Sequence, residues 1–123
     1  MATVDVTLEN LRENLSSPGI TLLDFWAEWC APCRGFAPVF EAASERHDDI
    51  RFGKIDTEAQ PELAEAFGIR SIPTLVAFRD GLPVFAQSGA LPPDALEALI
   101  TAIRGLDMEE VRRQLDKEGD GPG

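Results

Sequence analysis

Along the chain, segments whose apolar residues have the spacing of a strand alternate with segments whose apolar residues have the spacing of a helix. Residues 20–26 form an almost continuous apolar run, which is typical of a central strand covered on both faces. Four further strands are predicted around Val4 and Val6 and over residues 50–55, 74–78 and 82–87. The dipeptide Asp80-Gly81 between the last two is a strong hairpin signal. The element order predicts parallel strands followed by an antiparallel hairpin at one side of the sheet.

Four helices are predicted between and after these strands from apolar residues at helical spacing. We expect the first to be capped by Thr7 and to carry Leu8, Leu11 and Leu15 on one face. The others are predicted over about residues 33–47, over residues 62–67 and from Pro92-Pro93 onward. Pro38 lies inside the second of these helices, where we expect it to cause a kink because it removes an amide donor.

A further amphipathic segment follows the last predicted helix. Met108, Val111 and Leu115 have the i, i+3, i+7 spacing of one helical face, and Asp107 can cap the segment. We therefore expect one domain over residues 1–104. Residues 105–123 are expected to form a C-terminal extension that consists of a short amphipathic helix and a disordered end.

Size and charge narrow the functional classes. A chain of 123 residues makes one domain, and 22 acidic against 11 basic residues give a net charge of −11. This charge repels a phosphate backbone, so we expect no nucleic-acid partner. The first ten residues lack the basic region and apolar core of a signal peptide, and no uncharged stretch is long enough to span a bilayer. We expect a cytoplasmic monomer without membrane contact.

The only two cysteines, Cys30 and Cys33, lie where the central strand ends and a helix begins. A helix N-terminus offers unpaired amides and a partial positive charge, and both favour a thiolate. We expect Cys30 to be the exposed nucleophile and Cys33, one turn inside the helix, to be the more buried resolving thiol. A structural zinc site needs four ligands, whereas the chain adds one histidine, His47, so we expect no metal.

Asp24 is an isolated carboxyl group within the apolar run. Burial should raise its pKa, and buried charges concentrate at functional sites. Two structural interpretations stay open beside the functional one. Local backbone donors can satisfy the carboxylate, or the side chain can reach solvent at the strand edge.

Several separated motifs resemble the thioredoxin family over residues from about 3 to 104. The segment Trp29-Cys30-Ala31-Pro32-Cys33 resembles the family's Trp-Cys-Gly-Pro-Cys. Residues 68–74, Gly-Ile-Arg-Ser-Ile-Pro-Thr, resemble its Gly-Ile-Arg-Gly-Ile-Pro-Thr, and residues 24–27 and 88–90 also match. The resemblance implies an α/β thioredoxin fold, with a central mixed five-stranded sheet flanked by helices on both faces, to which this chain adds its C-terminal helical extension.

The same resemblance implies roles for individual residues. It assigns proton exchange with Cys33 to Asp24, a modulating role to Lys54, and a cis peptide bond between Ile72 and Pro73. The residues implied at the substrate groove are Trp29, Ala31, Pro32, Thr57, Ile72, Pro73, Ser88 and Gly89. Ala31 and Ser71 depart from the family's glycines, and both are positions at which redox potential and substrate access can differ.

The activity implied is that of a protein-disulfide reductase that cycles between a Cys30/Cys33 dithiol and disulfide. Such a protein binds no cofactor and receives electrons from NADPH through a flavin-containing thioredoxin reductase, so its partners are this reductase and disulfide-containing proteins. One alternative is a disulfide oxidant or isomerase, although oxidising relatives often carry histidine where this chain has Ala31-Pro32. The other is a non-catalytic thioredoxin-like adaptor, against which the presence of both cysteines, Asp24 and Ile72-Pro73 argues.

Overall fold

The computed structural model describes residues 2–16 and 18–119. Within these residues five strands form one sheet of order β1-β3-β2-β4-β5. The strands are β1 (Thr3–Asp5), β2 (Ile20–Trp26), β3 (Arg51–Asp56), β4 (Thr74–Arg79) and β5 (Leu82–Ser88). Strands β1, β3 and β2 are parallel, β4 runs antiparallel to β2, and β5 runs antiparallel to β4. The mixed five-stranded sheet is therefore confirmed.

The same residues contain five helices: α1 (Leu11–Ser16), α2 (Ala31–Arg46), α3 (Pro61–Ala66), α4 (Pro93–Arg104) and α5 (Met108–Gly119). Helix α2 begins two residues earlier than predicted. Pro32 lies in its first turn, where the missing amide donor would have no helical partner in any case. The helix continues through Pro38, and the kink expected there stays a prediction.

The first helix is shorter than predicted. The Thr7 amide donates to Asn10 Oδ1 over 2.8 Å, and the Asn10 amide donates to Thr7 Oγ1 over 3.3 Å. These reciprocal bonds close a turn directly before the helix, which begins at Leu11. Leu8 is consequently 53% exposed, and its predicted place on the apolar face of this helix is wrong.

Helices cover both faces of the sheet because the side chains of β2 point alternately to either face. Leu22 lies in a cluster with Phe36 and Phe40 of α2 and Ile100 of α4. Leu23 and Phe25 lie in a second cluster, which Leu63 of α3 and the α1 leucines complete. Since Asp24 follows Leu22 by two positions, it lies on the sheet face that α2 covers.

The hairpin between β4 and β5 turns at Asp80 and Gly81, whose φ values of 53° and 80° are those of a type I′ turn. This turn confirms the hairpin predicted from the dipeptide. None of the described helices is long and apolar enough to cross a membrane.

The C-terminal extension is tied to the domain at the junction of α4 and α5. Asp107 Oδ1 accepts the amides of Glu109 (3.0 Å) and Glu110 (3.3 Å), which confirms the predicted cap of α5. Arg79 Nη1 donates to the carbonyl oxygens of Ile103, Arg104 and Leu106 over 2.9, 3.2 and 3.0 Å. Met108 is only 9% exposed. Residues 120–123 of the predicted disordered end lie outside the described residues.

Candidate active site

A disulfide joins Cys30 and Cys33 at the N-terminus of α2, with their Cα atoms 5.2 Å apart. Cys30 is the N-cap residue, and its Sγ accepts the Cys33 amide over 3.2 Å. One of the amides that a helix N-terminus leaves without a helical partner therefore points at the Cys30 sulfur. The local geometry matches the environment that favours a thiolate after reduction.

The two cysteines are equally buried, since each is 3% exposed. The expected greater exposure of Cys30 is therefore wrong. Ala27 lies in one cluster with both cysteines, and the half-buried Trp26 and Ile72 pack against it. These apolar neighbours cover Cys30 as well as Cys33. The Cys30 sulfur is instead distinguished by its position 3.7 Å from the carbonyl oxygen of Ile72.

The loop that carries Ile72 is held against the end of β5. The Ile72-Pro73 peptide bond is cis, as the family resemblance implied. The Pro73 carbonyl accepts the Gly89 amide over 2.8 Å, and Thr74 pairs with Ser88 in the strand register. Gly89 has a φ of +102°, which side-chain-bearing residues rarely adopt. Four of the predicted groove residues thus lie together at one edge beside the disulfide.

Hydroxyl groups add a connection at this edge that the sequence did not predict. Thr74 Oγ1 donates to the Ser71 carbonyl over 2.6 Å, and Ser71 Oγ donates to Ser88 Oγ over 3.0 Å. Ser71 was notable in the sequence only as a departure from the family's glycine. Its bridge to β5 depends on the strand pairing that brings Ser88 opposite Thr74.

The remaining groove residues occupy two places. Trp29 is 67% exposed, and its neighbours Ala31 and Pro32 in the motif are also exposed. Thr57 is half-buried, and its amide and Oγ1 donate to the Trp26 carbonyl over 2.9 and 3.0 Å. These bonds fasten the loop after β3 to the end of β2, so Thr57 is connected to β2 and not to the disulfide.

Asp24 is a carboxyl group buried within β2. It is 1% exposed, and neither carboxylate oxygen has a hydrogen-bond partner among the described residues. Burial raises its pKa from 3.8 to about 7, against the opposing effect of the Lys54 charge. Both structural interpretations left open by the sequence, local backbone donors and exposure at the strand edge, are therefore wrong. A carboxyl group with this pKa can exchange protons near neutral pH.

Lys54 is the register neighbour of Asp24 on β3, yet its charged end lies elsewhere. Its Nζ is 4.9 Å from the centroid of the Trp26 ring, and the part of the chain that the structure describes contains no ion pair of Lys54. Trp26 is the last residue of the apolar run that predicted β2. Strand alternation could have placed Trp26 on the same face as Asp24, but not the lysine over its ring. Across residues 2–16 and 18–119, no three His, Cys, Asp or Glu side chains converge as metal ligands.

Known proteins resemble this chain over most of its length. The thioredoxin family model matches residues 2–102. A Streptomyces coelicolor protein named "Putative thioredoxin 2" is 53% identical over 117 residues, which cover 95% of this chain and 87% of the relative. The thioredoxin of Alicyclobacillus acidocaldarius is 40% identical over 103 residues, which cover 83% of this chain and 98% of that protein.

Solved structures agree with these sequence matches. The thioredoxin of Malassezia sympodialis has a TM-score of 0.74 and 33% identity, and the match covers 81% of this chain and 89% of that one. A mutant thioredoxin from Halobacterium salinarum has a TM-score of 0.78 and 36% identity, with coverages of 85% and 92%. With the Cys30–Cys33 disulfide at the start of α2, these matches show that the chain belongs to the thioredoxin family and is a thiol-disulfide oxidoreductase that reduces protein disulfides.

Proposed function

We propose that the chain reduces disulfides of cytoplasmic proteins with Cys30 as the attacking thiolate and Cys33 as the resolving thiol. The observation that carries this order of attack is the N-cap position of Cys30. Its sulfur accepts the Cys33 amide over 3.2 Å and lies 3.7 Å from the Ile72 carbonyl oxygen. After reduction, the amide and the helix dipole stabilise negative charge on this sulfur.

The reaction proceeds by two exchange steps. The Cys30 thiolate attacks one sulfur of the target disulfide, the target S–S bond breaks, and the other target sulfur leaves as a thiolate that takes up a proton. The Cys33 thiol then loses its proton and attacks the Cys30 sulfur, which releases the second target thiolate and closes the Cys30–Cys33 disulfide. Two electrons pass to the target. The second step is intramolecular, so its effective concentration is high.

Asp24 is the proposed proton acceptor for Cys33. It lies on the sheet face that α2 covers, and a pKa of about 7 suits a general base at neutral pH. Lys54 modulates this carboxyl because its positive charge favours the ionised form. The proton returns to Cys33 when the reductase supplies two electrons that open the Cys30–Cys33 disulfide.

The target segment is proposed to bind as an extended strand along the backbone at Ile72 and Pro73. This edge lies beside the Cys30 sulfur, and Trp29 next to the motif offers exposed apolar area. The proposed groove residues are Trp29, Ala31, Pro32, Thr57, Ile72, Pro73, Ser88 and Gly89. Their contacts orient the target disulfide toward Cys30.

The reducing electrons are proposed to come from NADPH through a flavin-containing thioredoxin reductase, with no cofactor bound to the chain itself. The bacterial thioredoxins among its relatives support this supply and a cytoplasmic location. We propose that the chain acts as a monomer, since one copy contains both cysteines and the adjoining groove.

The order of attack is tested by single cysteine variants. Cys33→Ser is expected to accumulate covalent complexes with target proteins, because a serine cannot resolve the mixed disulfide. Cys30→Ser is the matched control and should accumulate almost none. Non-reducing gels with peptide mapping of the adducts measure both variants. Equal accumulation by the two variants would show that the assigned order is wrong.

A further inference from the structure

We propose that Trp26 is a positioning residue that holds the Lys54 ammonium on the face of its indole ring and thereby keeps this charge out of an ion pair with the Asp24 carboxylate. The inference rests on the proton-transfer role proposed for Asp24. It adds a residue that sets how strongly this carboxyl holds its proton. It rests on the register of β2 with β3 and on the distance between the Lys54 ammonium and the Trp26 ring.

The backbone places the three side chains on one face of the sheet. Asp24 and Trp26 are two positions apart on β2, so both point to the face under α2. Lys54 on β3 is the direct register neighbour of Asp24. Its flexible four-carbon stem lets the ammonium reach in more than one direction from this position. It nevertheless lies 4.9 Å from the Trp26 ring centroid and forms no ion pair with the neighbouring carboxylate.

The surroundings of Asp24 make its pKa depend on the position of the Lys54 ammonium. Its oxygens have no hydrogen-bond partner within the described residues, and Lys54 is the charged group that opposes the effect of burial. Strand β4 places the apolar Leu75 at the other register position. Helix α2 brings Phe36 to this face, and its Cys33 lies in the cluster against which Trp26 packs and does not titrate while it is in the disulfide. Among the described residues, Lys54 is the charged group that acts on Asp24, so a change in its position should appear directly in the pKa of this carboxyl.

Two attractions compete for the same ammonium. A cation is attracted to an indole face within about 6 Å of the ring centroid, and this condition is met. A cation within about 4–6 Å of a carboxylate lowers its pKa by roughly one to three units. If the ammonium moved from the ring to the carboxylate, Asp24 would be mainly ionised at pH 7. The indole therefore preserves a carboxyl group that can still accept and release a proton near pH 7.

The test is a titration of the Asp24 carboxyl carbon by NMR in the oxidised protein, where neither cysteine contributes. Trp26→Leu removes the ring face and should lower the Asp24 midpoint by about one pH unit or more. Trp26→Phe keeps an aromatic face and should give a smaller decrease. An unchanged midpoint in folded Trp26→Leu would overturn the proposal, and so would a Trp26→Phe midpoint as low as that of Trp26→Leu.

A second background separates the lysine from a change in hydration. Loss of the indole can also admit water to Asp24, which by itself lowers the pKa of a buried carboxyl. Lys54→Met keeps the apolar stem and removes the charge. In this background Trp26→Leu should shift the midpoint by less than about a third of the shift seen with Lys54 present. A shift of full size without the lysine would show that hydration is responsible and would overturn the proposal.

This titration is independent of turnover, so its failure differs from failure of the proposed function. If Asp24 does not exchange protons with Cys33, Asp24→Asn will reduce targets at the normal rate between pH 6 and 8, while the effect of Trp26 on the midpoint remains. If Trp26 does not position Lys54, the titration will show it whatever the rate of target reduction.

Discussion

Asp24 places a carboxyl group where water cannot solvate it, and the protonated form is favoured as a result. The unfolded chain releases this proton near pH 3.9, whereas the folded protein keeps it up to about pH 7. Between these values the folded state binds one more proton than the unfolded state. The contribution of Asp24 to stability therefore falls as the pH rises from about 4 to about 7 and is constant above that range.

Asp24→Asn should remove this pH dependence because the amide does not titrate. Relative to the wild type, the oxidised variant should gain up to about 4 kcal/mol in free energy of unfolding between pH 4 and pH 8. Urea denaturation at pH 4, 6 and 8 measures the difference. A difference in free energy of unfolding between variant and wild type that stays constant from pH 4 to pH 8 would contradict the raised pKa of Asp24.

Asp49→Asn is a control of opposite sign. A hydrogen bond from Arg104 lowers the pKa of the exposed Asp49, so its stabilising contribution is lost as the pH falls. The free energy of unfolding of Asp49→Asn, relative to that of the wild type, should therefore be lower at pH 8 than at low pH. The two aspartates together distinguish an effect of burial from a general effect of removing negative charge.

Residues whose role follows from local sequence could be predicted, whereas residues defined by pairing between strands could not. The cysteine pair and the raised pKa of Asp24 follow from a motif and an apolar run, and both are confirmed. The placement of Lys54 over Trp26 needs the register of β2 with β3. The Ser71 bridge needs the register of β4 with β5. The predicted exposure of Cys30 was wrong because Ile72, which is distant in sequence, packs against the cluster of both cysteines.

At the scale of elements, strand positions were predictable and helix starts were less so. A strand is specified by its own apolar run, and the hairpin by Asp80-Gly81, so their predicted positions agree closely with the structure. The start of α1 depended on whether Thr7 caps a helix or closes a turn with Asn10. The side-chain oxygens of both residues compete for nearby backbone amides, and here the turn is formed.

Helix α5 extends the domain through contacts at its start. Leu106 packs against the core cluster under α2 and α4, and Met108 is nearly buried. The Streptomyces coelicolor relative matches 117 residues of this 123-residue chain, so the match necessarily includes part of the extension. The extension is therefore attached to the fold at its start, and its cap and its anchor on Arg79 are both formed.

Truncation after Arg104 should keep target reduction within about twofold of the full chain. The removed segment contains no cysteine, and the disulfide and Asp24 lie in other elements. The free energy of unfolding should fall by no more than about 2 kcal/mol, through loss of the partly buried Leu106 and the buried Met108. Urea denaturation and a target-reduction assay on the same preparation measure both effects. A folded truncated protein without activity would show that the extension contacts the target or the reductase.

At the scale of the whole molecule, the redox potential of the Cys30–Cys33 pair decides whether the chain reduces or oxidises its targets. Ala31 and Pro32 place neither a cation nor a histidine between the cysteines, so the reduced form lacks the further thiolate stabilisation that such a group would add to the helix N-terminus. The potential should therefore lie well below the roughly −180 mV of disulfide isomerases. Equilibration with glutathione buffers, followed by quantification of free thiols, gives the value. A potential at or above that level would favour an oxidant or isomerase.

The most direct test of the central claim is the rate of NADPH oxidation when the chain, a bacterial thioredoxin reductase and insulin are combined. Reduction of insulin disulfides through Cys30 and Cys33 predicts a rate that increases in proportion to the concentration of the chain. Cys30→Ser should lower the rate to that of the mixture without the chain, since the attacking sulfur is absent. A wild-type rate no higher than this background, in a mixture where the reductase reduces the Cys30–Cys33 disulfide, would contradict the assignment as a protein-disulfide reductase.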